Sequence, residues 1–192
     1  YIIDTLSDDP DDGVTFREAC TASGARYIVF AVSGDIHLLT DLSILNPNIT
    51  IAGQTSPGGI SVSGGMFWVG TNNVIITHMH FRRGTDLCPS LDCSGGYGDA
   101  VRIMNNGAAD CYDVIMDHCS LAWGADETLD ISGYLGDTYD ITVSNCIIAQ
   151  GCDNTSGGDD VTNMDTNHAL GVVISGAYQD NTNVTYSFHH NY

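Results

Sequence analysis

Asp113-Val114-Ile115-Met116 and Asp140-Ile141-Thr142-Val143 share one pattern, an Asn or Asp followed by alternating apolar positions. Asn48-Ile49-Thr50-Ile51, Asn73-Val74-Ile75-Ile76 and Asn183-Val184-Thr185-Tyr186 repeat it, with starts 25, 40, 27 and 43 residues apart. Each unit reads as a short half-buried strand, because side chains alternate faces along an extended backbone. A second signature ends in Ser-Gly: Ala31-Val32-Ser33-Gly34, Ser61-Val62-Ser63-Gly64, Asp130-Ile131-Ser132-Gly133 and Val173-Ile174-Ser175-Gly176. Arg102-Ile103-Met104-Asn105 fills the same slot without the glycine. From Ser61 onward its intervals are 41, 28 and 43, against 40, 27 and 43 for the first signature. Two unrelated strand signatures therefore report one periodicity, the mark of a repeat architecture.

Physically this is an all-β coil with one strand of each kind per turn, stacking equivalent residues ~4.8 Å apart. Alternation predicts one inward ladder of Ile49, Val74, Val114, Ile141 and Val184, and a second of Ile51, Ile76, Met116, Val143 and Tyr186. The only helical signal is Phe16 to Thr21. Repeat length is not constant, so insertions must bulge outward. The segments Arg82 to Gly98 and Gln150 to His168, rich in Gly, Asp, Ser and Cys, read as inserted surface loops of the kind that carry binding sites. Residues 1–192 read as a single domain, incomplete at both ends.

Composition narrows the partners. Of 24 acidic residues 22 are Asp, the five bases are all Arg, and the net charge is −19. That charge argues against nucleic acid and anionic membrane as direct partners, and leaves an acidic polymer bridged by divalent cations. No apolar run approaches the ~18–20 residues of a membrane span. Seven cysteines suit an oxidising, extracellular compartment, and their spacing matches no zinc pattern. Asn48, Asn154 and Asn183 begin glycosylation-type triplets, which are also common by chance.

Aligning Ile103 with Ile131 places Asp99 beside Glu127 and Arg102 beside Asp130. Asp99, Asp126, Glu127 and Asp130 then crowd one patch across two turns of chain. Like charges that close repel unless a cation sits among them or some protonate. An all-oxygen donor set points to Ca²⁺ rather than zinc. Asp126 and Asp130 would be ~13 Å apart in an ideal strand. One ion reaches both only if Asp126 lies on the turn before the strand, which Gly124 permits. The competing reading is an ordinary Arg102–Asp130 ion pair with the other acids solvated.

Thr50-Ile51-Ala52-Gly53-Gln54-Thr55, Asn73-Val74-Ile75-Ile76 with Phe81-Arg82, Gly98-Asp99-Ala100-Val101, Asp117-His118-Cys119-Ser120, Trp123-Gly124-Ala125-Asp126-Glu127 and His189-His190-Asn191 follow one another along the chain. In these motifs and their order the chain resembles pectate lyases of polysaccharide lyase family one along nearly its whole length. The resemblance implies a right-handed parallel β-helix and a secreted, calcium-dependent enzyme that cleaves polygalacturonate by β-elimination. It implies Asp99, Asp126 and Asp130 as calcium ligands, with Glu127 a further candidate. The family's base is an Arg a short stretch beyond His-His-Asn, so the resemblance places it past Tyr192 and leaves no catalytic residue within these 192. Arg82, Arg83, Arg102 and His168 are candidates for binding substrate; His168 stands where the family often has a Lys. A second class of function is a non-catalytic extracellular β-helix that binds glycan or self-associates end to end.

Other residues have structural readings. His118, aligned with His78 and Asn145, is expected on an inward ladder as a hydrogen-bonded core group. Asp117 and His118 are expected on opposite faces of a strand and so unable to pair. Cys88 is expected to pair with Cys93; Cys119 and Cys146 hold equivalent positions as a disulfide or as two stacked thiols.

Overall fold

Asn48, Asn73, Asp113 and Asp140 adopt left-handed backbone, with φ of 64°, 55°, 53° and 51°. Asn and Asp tolerate that region better than other residues with a Cβ, so they mark a corner at or near the start of these four strands. The computed structural model describes residues 1–84, 98–107, 109–152, 170–175 and 185–192. After its opening strand β1 (Ile2–Ile3) comes a one-turn helix, α1 (Phe16–Thr21), whose Glu18 N–H is capped by the Thr15 hydroxyl. From there the chain visits three sheets in rotation.

Sheet A contains β1 and six longer strands, four of which carry an Asn or Asp corner just before or within their first three residues. They are β2 (Arg26–Phe30), β5 (Ile49–Ala52), β8 (Val74–Thr77), β11 (Cys111–Asp117), β14 (Thr138–Ser144) and β17 (Tyr186–His189). Sheet B contains β3 (Gly34–His37), β6 (Ile60–Ser63), β9 (His80–Arg82), β12 (Ser120–Ala122) and β15 (Ile147–Ala149). Sheet C contains β4 (Leu42–Ile44), β7 (Phe67–Val69), β10 (Val101–Met104), β13 (Glu127–Ser132) and β16 (Leu170–Ser175). Every pairing is parallel, each strand lying beside its counterpart from the neighbouring circuit. The all-β reading therefore holds, with three parallel sheets, one short α-helix and one 3-10 turn (Gly53–Thr55) among the described residues, and no closed barrel.

The inward ladders hold where they can be followed. Ile49, Val74, Val114 and Ile141 are at most 2% exposed, and Ile51, Ile76, Met116 and Val143 are fully buried. Val184 lies outside the described residues. β17 departs from the expected register: Ile141 pairs with Tyr186 and Val143 with Phe188, two residues beyond the alignment read from sequence. A shift of two keeps side-chain parity, so the apolar pattern could not detect it.

The Ser-Gly signature mixes two sheets. Ser61-Val62 belongs to β6 in sheet B, while Arg102, Asp130 and Val173 lie in sheet C, where the counterpart of Arg102 one circuit earlier is Trp68. The signature records a strand ending at a turn, which is local chemistry shared by both sheets. Arg82, read as part of an inserted loop, closes β9.

His118 and His78 were expected inside and are exposed instead, with rings stacked 4.9 Å apart and nearly parallel. With Asn145 and His190 they form a second line of left-handed corners, at φ of 53° to 57°. Such a corner turns the side chain out of strand alternation. It also brings His118 back onto its neighbour, since His118 Nδ1 lies 2.6 Å from Asp117 Oδ2.

Cys119 and Cys146 are free, buried thiols, and among the described residues there is no disulfide. The reason is geometric. Parallel strands hold equivalent Cβ atoms pointing the same way at ~4.8 Å, beyond the ~3.8 Å typical across a disulfide. The Cys119 N–H donates to the Cys146 sulfur at 3.4 Å. Asn191 takes the same slot in the last circuit, accepting from Cys146 N at 2.8 Å and donating to Val143 O at 2.9 Å. Cys88 and Cys93 lie outside the described residues.

Aromatic packing braces the interior. Phe67 is fully buried, 5.9 Å from the Phe16 ring and 4.8 Å from that of Phe81. Phe67→Ala should destabilise the protein by about 3–5 kcal/mol in chemical denaturation. Ile115→Ala, at a position 40% exposed, should cost under ~1 kcal/mol. Iodoacetamide should leave Cys119 and Cys146 unmodified in the native protein and label both after unfolding without reductant. A peptide linking the two in non-reducing maps would contradict the free-thiol geometry.

Candidate metal centre and the face beside it

Sheet C register decides which acids meet. Pairing of Val101 with Leu129 and of Arg102 with Asp130 carries Asp99 to the level of Glu127. The Glu127 N–H donates to Asp99 Oδ1 at 3.0 Å, and the Ala100 N–H donates to Glu127 O at 3.0 Å. Asp126 stands just before β13 on a turn that begins at Trp123. Gly124 is required there, because a Cβ would run into the Glu127 carbonyl. The turn is held from below, as Ala125 and Asp126 both donate to Gly98 O.

The result is a nest of carboxylates with little water. Asp99 is fully buried and Asp126 is 4% exposed. One oxygen each from Asp99, Asp126 and Glu127 lies within 4.8 Å of the others. Asp130 stands outside this trio, accepting from Ser132 Oγ at 3.0 Å and facing Arg102 Nε at 3.2 Å. Arg102 joins the two groups, with Nη2 2.6 Å from Asp99 Oδ2. Burial first, then a hydrogen bond with Asp99 and the charges of Asp99, Asp126 and Asp130, push Glu127 up to about 8. Burial and then the Asp99 charge raise Asp130 to about 6, against the opposing pull of Arg102. A single arginine thus fails to neutralise four acids, and the remaining charge suits a hard cation with oxygen ligands. Calcium fits this donor set; zinc, which favours nitrogen and sulfur, does not.

Beside the acids, a depression of about 750 Å³ runs over the outer face of sheet C, lined by Trp68, Arg102, Met104, Asp130, Ser132 and Tyr134. Trp68 is fixed there by its indole N–H, which donates to Met104 O at 2.8 Å. Neither Trp68 nor Tyr134 was singled out from sequence. The register of β7 on β10 would have revealed Trp68, but the Ser-Gly signature had assigned the wrong strand to that place.

The other candidates are dispersed. Arg82 lies on sheet B, and Arg83 is 2% exposed with Nη1 donating to Gly64 O, so Arg83 acts within the interior rather than on a surface. His168 falls outside the described residues. Asp117, expected to be unable to pair with His118, does pair. Partial burial works to raise the Asp117 carboxyl, but hydrogen bonds from Ser144, Asn145 and His118 outweigh it and hold the group at about 2.

The raised carboxyls fix a pH dependence for the metal-free protein. Glu127 binds its proton more tightly folded than unfolded, so its contribution is fully present below about 4.5 and is lost as pH rises through about 8. The melting temperature should therefore fall across that window, and Glu127→Gln should make the fall shallower. An unchanged pH profile in the variant would show that Glu127 is not the group responsible.

No family model matches the chain. Curated proteins named probable pectate lyase C do match it. Those of Aspergillus flavus and Aspergillus oryzae are 35% identical over 135 residues, and that of Aspergillus terreus is 36% identical over 135 residues. The matched region is 69% of this chain, and the chain spans 28% of the length of those relatives. The motifs read from sequence, the parallel sheets and the matched relatives agree: this chain is pectate lyase-like.

Proposed function

We propose that the chain forms a right-handed parallel β-helix whose sheet C face binds Ca²⁺ and acidic galacturonan, and that the protein cleaves this polymer by β-elimination. The observation that carries the reading is the carboxylate trio of Asp99, Asp126 and Glu127, two of them almost fully buried, beside an open polar face. Asp99 and Asp126 are the principal ligands, with Asp130 and Glu127 completing the protein's donor set. Bound there, a calcium ion supplies positive charge against the C6 carboxylate of a galacturonate unit and so acidifies the C5 proton. Elimination then breaks the C5–H and C4–O bonds and leaves a C4=C5 double bond, the proton passing to a base and the C4 oxygen leaving with the departing sugar.

This chain's residues hold the parts in place. Arg102 locks Asp99 against Asp130, which fixes two carboxylates before substrate arrives. Trp68 and Tyr134 offer ring surface for sugar units along the face. None of the five arginines is poised as the proton acceptor that the resemblance implies. Arg17 is bound to Asp8, Arg26 is buried among backbone carbonyls, Arg82 and Arg83 are placed as described, and Arg102 is held by Asp99 and Asp130. An extracellular location goes with this reading, since a polymer substrate does not enter a cell.

The test is the ultraviolet absorbance of unsaturated uronate released from polygalacturonate with calcium present. Asp126→Ala should weaken calcium binding by at least ~10–100-fold, measured calorimetrically, and reduce product formation while leaving the circular dichroism unchanged. Equal calcium affinity in both proteins would overturn the metal site. Calcium-dependent polymer binding without product would favour the glycan-binding reading only if the protein assayed includes the Arg that the resemblance places past Tyr192.

A further inference from the structure

Arginine is scarce in a chain of net charge −19, so the partners of each guanidinium are informative. Asp8 meets Arg17, Asp99 and Asp130 meet Arg102, and the buried Arg26 is enclosed by the carbonyls of Ala19, Cys20 and Gly24. Arg82 differs from Arg17 and Arg102 in its partners and from Arg26 in being only partly buried. Its hydrogen bonds run to neutral acceptors: Phe81 O at 2.8 Å, Ser120 O at 2.7 Å and Ser120 Oγ at 2.8 Å. These bonds fix the guanidinium while leaving its charge without a carboxylate partner among the described residues.

Trp123 lies beside it. The Arg82 Cζ is 5.8 Å from the indole centroid. Trp123 occupies left-handed backbone at φ 64°, an uncommon place for a bulky side chain, and is pinned by Gly84 N donating to Trp123 O and Trp123 N donating to Gln150 O. Core packing does not account for it, because the residue is 47% exposed. Strained placement of an exposed large residue is a pointer to function.

Between Arg82 and Trp123 and the outer face of sheet B lies a pocket of about 450 Å³. Its opposite wall holds Asp35, which accepts from Ser61 Oγ at 2.5 Å and Ser63 Oγ at 2.6 Å, and His80 completes the lining. Burial and then the Arg82 charge lower the His80 pKa, so at neutral pH that ring is an uncharged hydrogen-bonding group. The pocket therefore offers the Arg82 guanidinium, with the largely buried Arg83 bordering it, one indole face and a row of polar groups. That set matches a sugar bearing a carboxylate: the acid to Arg82, the C–H face of the ring to Trp123, the hydroxyls to Asp35 and its serines.

We propose that this pocket on sheet B is a second binding site for a uronate unit of an acidic glycan, held by Arg82 and Trp123 without a metal ion. The choice of ligand rests on the galacturonan reading above, but the chemistry is separate. The sheet C site needs an added cation to receive a carboxylate, whereas sheet B carries its own.

Calorimetric titration of the full chain with trigalacturonate, in EDTA and again in calcium, separates the two sites. Binding should persist in EDTA, and Arg82→Gln and Trp123→Ala should each weaken it about tenfold or more. Maltotriose, of the same length but uncharged, should not compete. Melting curves establish that each variant is folded. Trp123→Ala, whose side chain makes no hydrogen bond to backbone among the described residues, carries the test where Arg82→Gln does not fold. Absence of binding in EDTA, unchanged affinity in Trp123→Ala, or equal binding of maltotriose would each overturn the second site. Loss of the calcium-dependent component alone would overturn the sheet C reading and leave this one standing.

Discussion

In sheets A, B and C, hydrogen bonding in parallel from one circuit to the next sets each side chain ~4.8 Å from the one that held its place a circuit earlier. Like therefore stacks on like. For apolar residues this is favourable at every level, and the ladder from Ile49 to Ile141 is the product. Flat rings gain as well: Tyr112 lies 5.0 Å from Tyr139, and His78 lies over His118. Side-chain amides link across circuits, as Asn73 Nδ2 donates to Asn48 Oδ1 at 2.6 Å. For carboxylates the same geometry is costly, and Asp99 at the level of Glu127 is where that cost concentrates.

The polar chemistry follows from how that cost is met. Arg102 lies in register with Asp130 and reaches back to Asp99, so one cation serves two carboxylates. Glu127 is left with burial and three acidic neighbours, and its raised pKa is the consequence. Across the corner, Trp123 and Arg82 line a face where the guanidinium has no carboxylate bound to it among the described residues, Asp35 being held by Ser61 and Ser63. Two faces of one scaffold thus show complementary electrostatics, separated by the short turn from Trp123 to Asp126.

Corners do as much as strands to place these groups. Asn48, Asn73, Asp113 and Asp140 enter sheet A in left-handed backbone, His78, His118, Asn145 and His190 leave it the same way, and Gly84, Trp123 and Gln150 mark the passage from sheet B toward sheet C. The first family was visible as a repeated Asn or Asp before each apolar run. The second was visible as letters but not as geometry. Alternation was carried one residue too far, which placed His118 inside and separated it from Asp117. A side chain at positive φ leaves the two-residue period, and periodicity alone cannot report where that happens.

By itself the sequence determined the strand pattern, the inward parity of Ile49, Val74, Val114 and Ile141, the location of α1, and the crowding of Asp99, Asp126 and Glu127, though it put Asp130 in the same group. Each depends on local alternation or on short-range spacing across one paired turn, which hydrophobic burial enforces. Tertiary structure alone decided the register of β17, the assignment of Ser61 to sheet B and Arg102 to sheet C, the thiol state of Cys119 and Cys146, and the meeting of Arg82 with Trp123. A two-residue slip preserves every inside and outside assignment, and two sheets can end their strands with the same Ser-Gly chemistry. Only the hydrogen-bonded register between circuits breaks those degeneracies, because it alone specifies which distant residues share a level.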